Sequence, residues 1–125
     1  MKLTAFNPIV ITKNPESVIA LYEDLGFEAR HNKTGDDELA FSTVRMEDAN
    51  GFHVDIFATP AADLPQDLVA IRINVDNFDE GYNFFVGKGF TEVEGFGIRT
   101  TDSSKYAILA SPTGVLVDVI EHIKK

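Results

Sequence analysis

The sequence predicts an α+β fold of two tandem βαβββ modules, whose curved mixed sheets form a cup. Three observations predict it: the sequence matches itself at an offset of 63 residues, each copy places one helix after its first strand, and short β-rich stretches follow each helix. The 125 residues, of which 44% are hydrophobic and 25% charged, have the size and composition of one globular domain. We therefore expect a single domain, with module one at about 1–58, a linker at 59–67 and module two at about 68–125.

The internal match needs no gap and extends along both copies. The segment "NGFHVDIF" (50–57) falls on "TGVLVDVI" (113–120), which aligns Asp55 with Asp118. Gly-Phe pairs also coincide, at the ends of the two predicted helices. Because several features agree at one offset, a duplicated structural unit is the better interpretation.

Module one is predicted to begin with a strand at 3–12, "LTAFNPIVIT", which is rich in β-branched residues after its proline. Asn14 then caps a helix, with Pro15 at the first helical position. The helix ends at Gly26, since glycine is common just past the last helical turn. Spacing predicts an apolar helix face made of Val18, Leu21, Tyr22 and Leu25. Three strands follow, at about 27–34, 39–47 and 52–58, and Asn50-Gly51 predicts a two-residue hairpin turn.

Module two repeats this order. Its helix is capped by Asn77, with Glu80 placed to complete a capping box. The segment Ser111-Pro112-Thr113-Gly114 suits a type I turn. The helix is predicted to bury Phe78, Tyr82, Phe85 and Val86. The strands are expected at 68–75, 90–100, 105–110 and 115–121.

The charge and composition exclude several classes of partner. A net charge of −9 repels phosphate backbones, so we expect no nucleic-acid partner. The charge suits a neutral or cationic small molecule, although acidic charge also serves solubility alone. No apolar run approaches the roughly 18 residues of a membrane span, so we expect no membrane partner. The segment "MKLTAFNPIV" lacks the long apolar stretch of a signal peptide, and we expect a cytoplasmic location.

Three segments resemble the vicinal oxygen chelate superfamily, also called the glyoxalase, bleomycin resistance protein and extradiol dioxygenase superfamily. They are "NPESVIALYEDLGFE" (14–28), "VDNFDEGYNFFVGKGF" (75–90) and "SPTGVLVDVIEH" (111–122). The first resembles the family's helix ending in Leu-Gly-Phe, and the last resembles its closing Asp-Pro-(Asp/Asn)-Gly-x-x-(Ile/Val)-Glu motif. The resemblance covers nearly the whole chain. It implies the fold but no particular reaction, because the family's activities are diverse.

The resemblance also locates the positions of a metal site. In metal-dependent members, His and Glu side chains on the first and last strands of the modules hold the ion. The first histidine position falls on Asn7, give or take one residue, and the second on Ala70, or on Val69 if the register slips. The two acid positions fall on Asp55 and Asp118. Ala70 cannot bind a metal, and each aspartate is one methylene shorter than Glu. We therefore expect no family-type metal and no cofactor; a divalent metal, if bound, would draw its ligands from Asn7, His53, Asp55 and Asp118.

Side-chain alternation sorts the cup-facing residues from those that face the helices. Asp118 lies in an otherwise apolar strand, where a carboxylate is costly to bury without a partner. Arg72 is expected on the same face, so we predict an Arg72–Asp118 pair in which a guanidinium replaces the metal. The pair has two interpretations, a structural role or the binding of a charged ligand group. His53 also has two interpretations. It is either a functional residue beside Asp55, as a metal ligand or a base, or a partly exposed residue at the start of a strand.

The predicted function is small-molecule binding without a metal, and a cationic antibiotic, as in resistance proteins of the bleomycin type, is one ligand that the charge suits. One alternative is a metal-dependent lyase, isomerase or dioxygenase with the unusual ligands named above. Another is a ligand-free module that uses the fold to dimerise. The resemblance further implies a homodimer. The predicted ligand-binding residues are Asn7, His53, Asp55, Phe57, Arg72, Asn74 and Asp118, and no catalytic residue is assigned.

Overall fold

The computed structural model describes residues 1–36, 41–59 and 64–123, with the backbone alone described at 31–36 and at 41. The predicted linker and the start of the strand predicted at 39–47 thus lie partly outside the described residues. Contacts divide the chain into two compact units. The amino-terminal unit is Asn7–Val69, and the carboxyl-terminal unit is Ala70–Lys125 together with Met1–Phe6.

The amino-terminal unit has the predicted βαβββ order. Its elements are β1 (Leu3–Thr12), α1 (Pro15–Asp24), β2 (Glu28–Asp36), β3 (Phe41–Glu47) and β4 (His53–Ala58). The strands lie in the order β2-β3-β4-β1, with β1 parallel to β4 and the other pairs antiparallel. The unit is therefore a mixed sheet, as predicted, with α1 packed on one face.

The carboxyl-terminal unit repeats this arrangement with one difference. Its elements are β5 (Leu68–Val75), α2 (Phe78–Gly87), β6 (Thr91–Glu92), β7 (Ile98–Thr100), β8 (Ser104–Ala110) and β9 (Leu116–His122). The division between the units falls within β1, after Phe6, and within β5, after Val69, and each strand is described with the unit that holds most of it. The strand predicted at 90–100 is wrong as a single element, because it is divided into β6 and β7, which both pair with β8. Gly95 and Gly97 have positive φ angles of 92° and 65°, and the turn that they form interrupts the strand.

Strand registers confirm the repeat. Ile9 lies opposite Asp55 between the parallel strands β1 and β4, and Arg72 lies opposite Asp118 between β5 and β9. Members of each equivalent pair are 63 residues apart in the sequence. The antiparallel pairs β3–β4 and β8–β9 agree at the same offset. The internal match is therefore a repeat of structure as well as of sequence.

The hairpin between β3 and β4 differs from the predicted two-residue turn. Asp48 N donates to Phe52 O at 3.0 Å and Gly51 N donates to Asp48 O at 3.1 Å, so the loop has three residues. The Asp48 carboxylate favours this longer loop because it accepts hydrogen bonds from Asn50 N and Phe52 N. The turn predicted at 111–114 is confirmed and is closed in the same way, with Gly114 N donating to Ser111 O at 3.0 Å.

Both predicted helix starts are confirmed. Asn14 Oδ1 accepts from Ser17 N, and Asn77 Oδ1 accepts from Glu80 N. Part of each predicted apolar face is wrong, since three of the predicted side chains are exposed: Leu21, Leu25 and Val86. Helix α1 instead contacts its sheet through Val18, Ile19 and Tyr22, and α2 contacts its sheet through Phe78, Tyr82 and Phe85.

Two apolar clusters define the helix-facing side of each sheet. In the amino-terminal unit, Val10, Met46, Val54 and Ile56 pack with α1. In the carboxyl-terminal unit, Ile73, Val75, Ala107, Leu109, Val117 and Val119 pack with α2. Side chains alternate along a strand, so the intervening residues lie on the opposite side, called here the helix-free face. Within the described parts of the chain, no helix is long and apolar enough to span a membrane.

Candidate functional site

The carboxyl-terminal unit holds a buried ion pair on its helix-free face. Arg72 Nε donates to Asp118 Oδ2 at 2.7 Å, and the two side chains are 7% and 0% exposed. Parallel pairing of β5 with β9 sets Arg72 directly opposite Asp118. The pairing predicted from side-chain alternation is therefore confirmed. A short, charge-assisted hydrogen bond is what a buried carboxylate and guanidinium require.

Asn74 lies two residues beyond Arg72 on the same face. Its side chain is 3% exposed, and it sits opposite Ile120 of β9. Its Oδ1 atom is buried and accepts no hydrogen bond from any residue that the structure describes. A buried acceptor without a donor costs about 1–3 kcal/mol, so this atom is a candidate contact for a ligand or an ordered water.

The amino-terminal unit gathers polar groups around the equivalent carboxylate. Asp55 is 1% exposed; its Oδ2 accepts from Asn7 Nδ2 at 3.1 Å and its Oδ1 from Arg45 Nε at 3.2 Å. Parallel pairing places β1, and hence Asn7, on one side of β4, and antiparallel pairing places Arg45 opposite Asp55 on the other. Both carboxylate oxygens therefore have nitrogen donors from neighbouring strands.

The orientation of the Asn7 amide follows from its partners. Nδ2 donates to Asp55 Oδ2 and also to Pro8 O at 2.9 Å, and both of these atoms are acceptors. The buried Oδ1 atom then points elsewhere and accepts from none of the described residues. Asn7 is 3% exposed, so its Oδ1 atom is a second buried acceptor without a donor.

His53 and Phe57 share the helix-free face with Asp55, as alternation predicts. His53 begins β4 opposite Glu47 and is partly exposed, while its Nε2 atom is buried without a hydrogen-bond partner among the described residues. Phe57 is buried opposite Thr43. The placement leaves both interpretations of His53 open, as a functional group or as a strand-end residue.

Arg45 is the site residue that sequence reasoning missed. A two-residue turn would have placed Met46 opposite Asp55, whereas the three-residue loop places Arg45 there. A register shift of one residue reverses which side chains share a face. The available signal was Asp48, whose side chain favours the longer loop.

Two repeated βαβββ units with mixed sheets define the fold class of the chain. Comparison with known proteins gives its family. The sequence model of the Glyoxalase/Bleomycin resistance protein/Dioxygenase superfamily matches residues 4–119. The chain therefore belongs to this superfamily, as the sequence resemblance predicted. Among proteins with curated descriptions, none matches the sequence.

Solved structures of the same fold match nearly the whole chain. Methylmalonyl-CoA epimerase from Mycobacterium tuberculosis is 15% identical, with a TM-score of 0.68, and the match covers 98% of this chain and 90% of that one. A hypothetical protein from Bacillus halodurans C-125 is 12% identical, with a TM-score of 0.69 and coverage of 100% and 98%. A variant of Streptomyces coelicolor methylmalonyl-CoA epimerase, in complex with 2-nitronate-propionyl-CoA, is 15% identical, with a TM-score of 0.66 and coverage of 98% and 100%. These likenesses confirm the α+β fold with mixed curved sheets; at such identities they show the fold alone.

Proposed function

We propose that the chain binds small organic molecules without a metal of the family type, and that the helix-free face of each unit, taken by itself, is a candidate binding surface. The observation that carries the proposal is the pair of buried Oδ1 atoms of Asn7 and Asn74, which no described residue satisfies. A ligand that donates a hydrogen bond to either atom would satisfy it and recover its desolvation cost.

The surroundings of these amides support the same proposal. Apolar side chains on the helix-free faces are buried: Ile9, Ile11, Phe57, Ile108 and Ile120. An apolar surface with a few well-placed polar groups is typical of small-molecule sites. The net charge of −9 favours a ligand that is neutral or cationic overall, and a cationic antibiotic is one such candidate.

The residues at the metal positions fit a divalent ion poorly, which supports the metal-free part of the proposal. Arg72 places a guanidinium 2.7 Å from Asp118, and a cation beside it would be repelled. Both oxygens of Asp55 already accept hydrogen bonds, from Asn7 and Arg45. Within the described residues, no three His, Asp or Glu side chains form a group suited to a metal ion.

Fragment binding followed by NMR tests the proposal. A library of small polar fragments is added to the ¹⁵N-labelled protein, and amide shifts are mapped onto the sequence. We expect hits to cluster on the helix-free faces and to be lost in Asn7→Leu and Asn74→Leu but kept in Asn50→Leu, an exposed loop control. Hits confined to other surfaces, or unaffected by both site variants, would refute the proposal. Stoichiometric Zn, Ni, Mn or Fe in protein purified without chelator or affinity tag would refute its metal-free part and favour the enzyme alternative.

A homodimer and a cytoplasmic location also belong to the proposal. Several large apolar side chains are exposed in the single chain, including Leu3, Phe6, Leu21, Leu25 and Phe52, and an interface between copies would bury some of them. Light scattering at micromolar concentration checks the oligomeric state. A dimer mass is expected, and a monomer mass would refute this part of the proposal.

A further inference from the structure

Arg45 has a guanidinium that its own fold uses only in part. Its Nε donates to Asp55 Oδ1 at 3.2 Å, and Asp55 is the one described residue with which the side chain forms a hydrogen bond or ion pair. The side chain is 39% exposed, in contrast to the 7% of Arg72. The two terminal nitrogens of Arg45 therefore lie at a surface and retain their donors.

Asp55 holds this guanidinium in place. The carboxylate is 1% exposed, and Asn7 binds its second oxygen, so a turn away from Arg45 would break hydrogen bonds of a buried carboxylate. An anchored guanidinium keeps a rigid fork of N–H groups that matches a carboxylate with two parallel hydrogen bonds. Arg45 is thus prepared to bind an anionic group of a ligand.

Asn7 supplies a second contact close to the first. Its Nδ2 binds Asp55 Oδ2 while Arg45 Nε binds Asp55 Oδ1, so the two residues meet at one carboxylate. Asn7 Oδ1 is buried and accepts from no described residue. This acceptor requires an N–H or O–H donor, and it belongs to a side chain that shares the Asp55 carboxylate with Arg45.

We propose that the amino-terminal unit binds a small carboxylic acid that also carries a hydroxyl or amino group. Arg45 takes the carboxylate, and Asn7 Oδ1 accepts a hydrogen bond from the hydroxyl or amino group. This proposal rests on the proposed function and names its ligand class. The carboxyl-terminal unit has Ile108 at the position equivalent to Arg45, so the acid is recognised by the amino-terminal unit alone.

The chemistry agrees with the acidic character of the chain. An amino acid is neutral overall, so the −9 charge does not repel it from a distance. A hydroxy acid has one negative charge and would share the Arg45 guanidinium with Asp55, so a zwitterionic amino acid is the better match. A dianionic acid is disfavoured for the same reason.

The test uses four probes of nearly equal size: L-lactate, L-alanine, propionate and L-lactamide. Propionate lacks the donor and lactamide lacks the carboxylate. In ¹⁵N NMR titrations, we expect lactate or alanine to shift the amides of β3 and β4 around Arg45 and Asp55. Propionate and lactamide should bind roughly tenfold or more weakly, the loss expected for one charge-assisted hydrogen bond.

Variants identify the residue responsible. Arg45→Met should weaken lactate and alanine binding roughly tenfold or more, and Arg45→Lys should be intermediate because it keeps the charge and loses the fork. Arg30→Met is the control, since Arg30 is a half-exposed arginine of the same unit whose ion pairs are with Glu28 and Glu47. Arg45→Met removes a donor from the buried Asp55, which keeps its hydrogen bond from Asn7, so the fold of each variant is checked by its ¹⁵N spectrum. If Arg45→Met does not fold, Arg45→Lys, which keeps a cation beside Asp55, decides the test: unchanged lactate and alanine binding in Arg45→Lys would then refute the proposal.

Two further results would overturn the proposal. One is the absence of any lactate or alanine shift near Arg45 in the wild-type protein. The other is equal binding of either probe to the wild type and Arg45→Met. If fragments bind the helix-free faces without depending on Arg45, the ligand class is wrong and the proposed function stands. If nothing binds those faces, both are wrong.

Discussion

Asp55 and Asp118 occupy equivalent positions in the two units, yet an arginine reaches them from opposite sides. Arg72 extends from β5, the parallel neighbour of β9, and Arg45 extends from β3, the antiparallel neighbour of β4. The remaining neighbour of each aspartate is an isoleucine in both units. Both units thus have a buried aspartate that is paired with an arginine, but the arginine comes from β3 in one unit and from β5 in the other.

The exchange changes what each arginine can do. Arg72 is buried at 2.7 Å from its partner, whereas Arg45 is 39% exposed at 3.2 Å. Removing one member of a buried pair leaves a charge without compensation, while a partly exposed pair is screened by water. We therefore expect the loss of Arg72 alone to destabilise the fold, and Arg45 is the arginine that we propose to bind a ligand.

Loss of the buried pair should have the strongest effect on stability. Arg72→Met should lower the free energy of unfolding by about 3–5 kcal/mol, because Asp118 loses the cation that compensates its buried charge. Urea unfolding measures this loss. The double variant Arg72→Met/Asp118→Leu should recover most of it, since an apolar replacement of both members removes the buried charge. A loss below about 1 kcal/mol in Arg72→Met would show that the pair is not structural.

The two hairpin glycines should behave alike. Gly51 and Gly114 have φ angles of 85° and 96°, and a Cβ added at either position meets no described heavy atom within 4 Å. Alanine there is opposed by the left-handed backbone alone, so each variant should lose about 1–2 kcal/mol in urea unfolding. Gly87→Ala, at the end of α2, is the control and should lose nothing, because its backbone is helical and its surroundings are open. Unequal losses at Gly51 and Gly114 would contradict the equivalence of the loops.

Replacing Asn74 should raise the stability of the fold and weaken ligand binding. Ile11 occupies the equivalent position of the amino-terminal unit and is fully buried. Asn74→Ile removes a buried acceptor that no described residue satisfies, so it should raise the free energy of unfolding by about 1 kcal/mol. The same variant should lose any ligand that donates to Asn74. Destabilisation instead would mean that the fold itself needs the amide.

The weakest effect should be a difference in acid sensitivity between the hairpins. Hydrogen bonds, chiefly from the Asn50 side chain, hold the pKa of Asp48 below its ordinary value. A lowered pKa stabilises the fold above the pKa of the unfolded chain, and this stabilisation is lost as the pH falls through the folded value. The Phe52 amide should therefore shift during an acid titration, with a midpoint below that of Asp48 in an unstructured peptide. The Val115 amide binds the Ser111 hydroxyl, which does not titrate, and should show no such step.

The predictions from sequence were most accurate for features that recur at a fixed interval along the chain. The two-residue alternation of strands, together with the face that the family resemblance implied, was sufficient to predict that Arg72 and Asp118 share a face and pair. The alternation depends on distances along the chain, which a sequence shows directly.

The wrong predictions concern features that depend on local structure: the length of a loop, which sets a strand register, and the side of a helix that faces the sheet. One extra loop residue before β4 brought Arg45, instead of Met46, beside Asp55. The exposed Leu21 and Leu25 show the same limit for a helix, because spacing predicts an apolar stripe but the neighbouring sheet decides which part of it is buried.

Arginine side-chain NMR compares the two ion pairs in a single sample. Hydrogen exchange of the Nε–H groups is measured for Arg72 and Arg45 in the ¹⁵N-labelled protein. We predict a protected Nε–H at Arg72, which is buried on Asp118, and rapid exchange at Arg45, whose pair with Asp55 reaches the solvent. Equal exchange at the two sites, whether fast or slow, would contradict the division of the two pairs into a structural one and an open one.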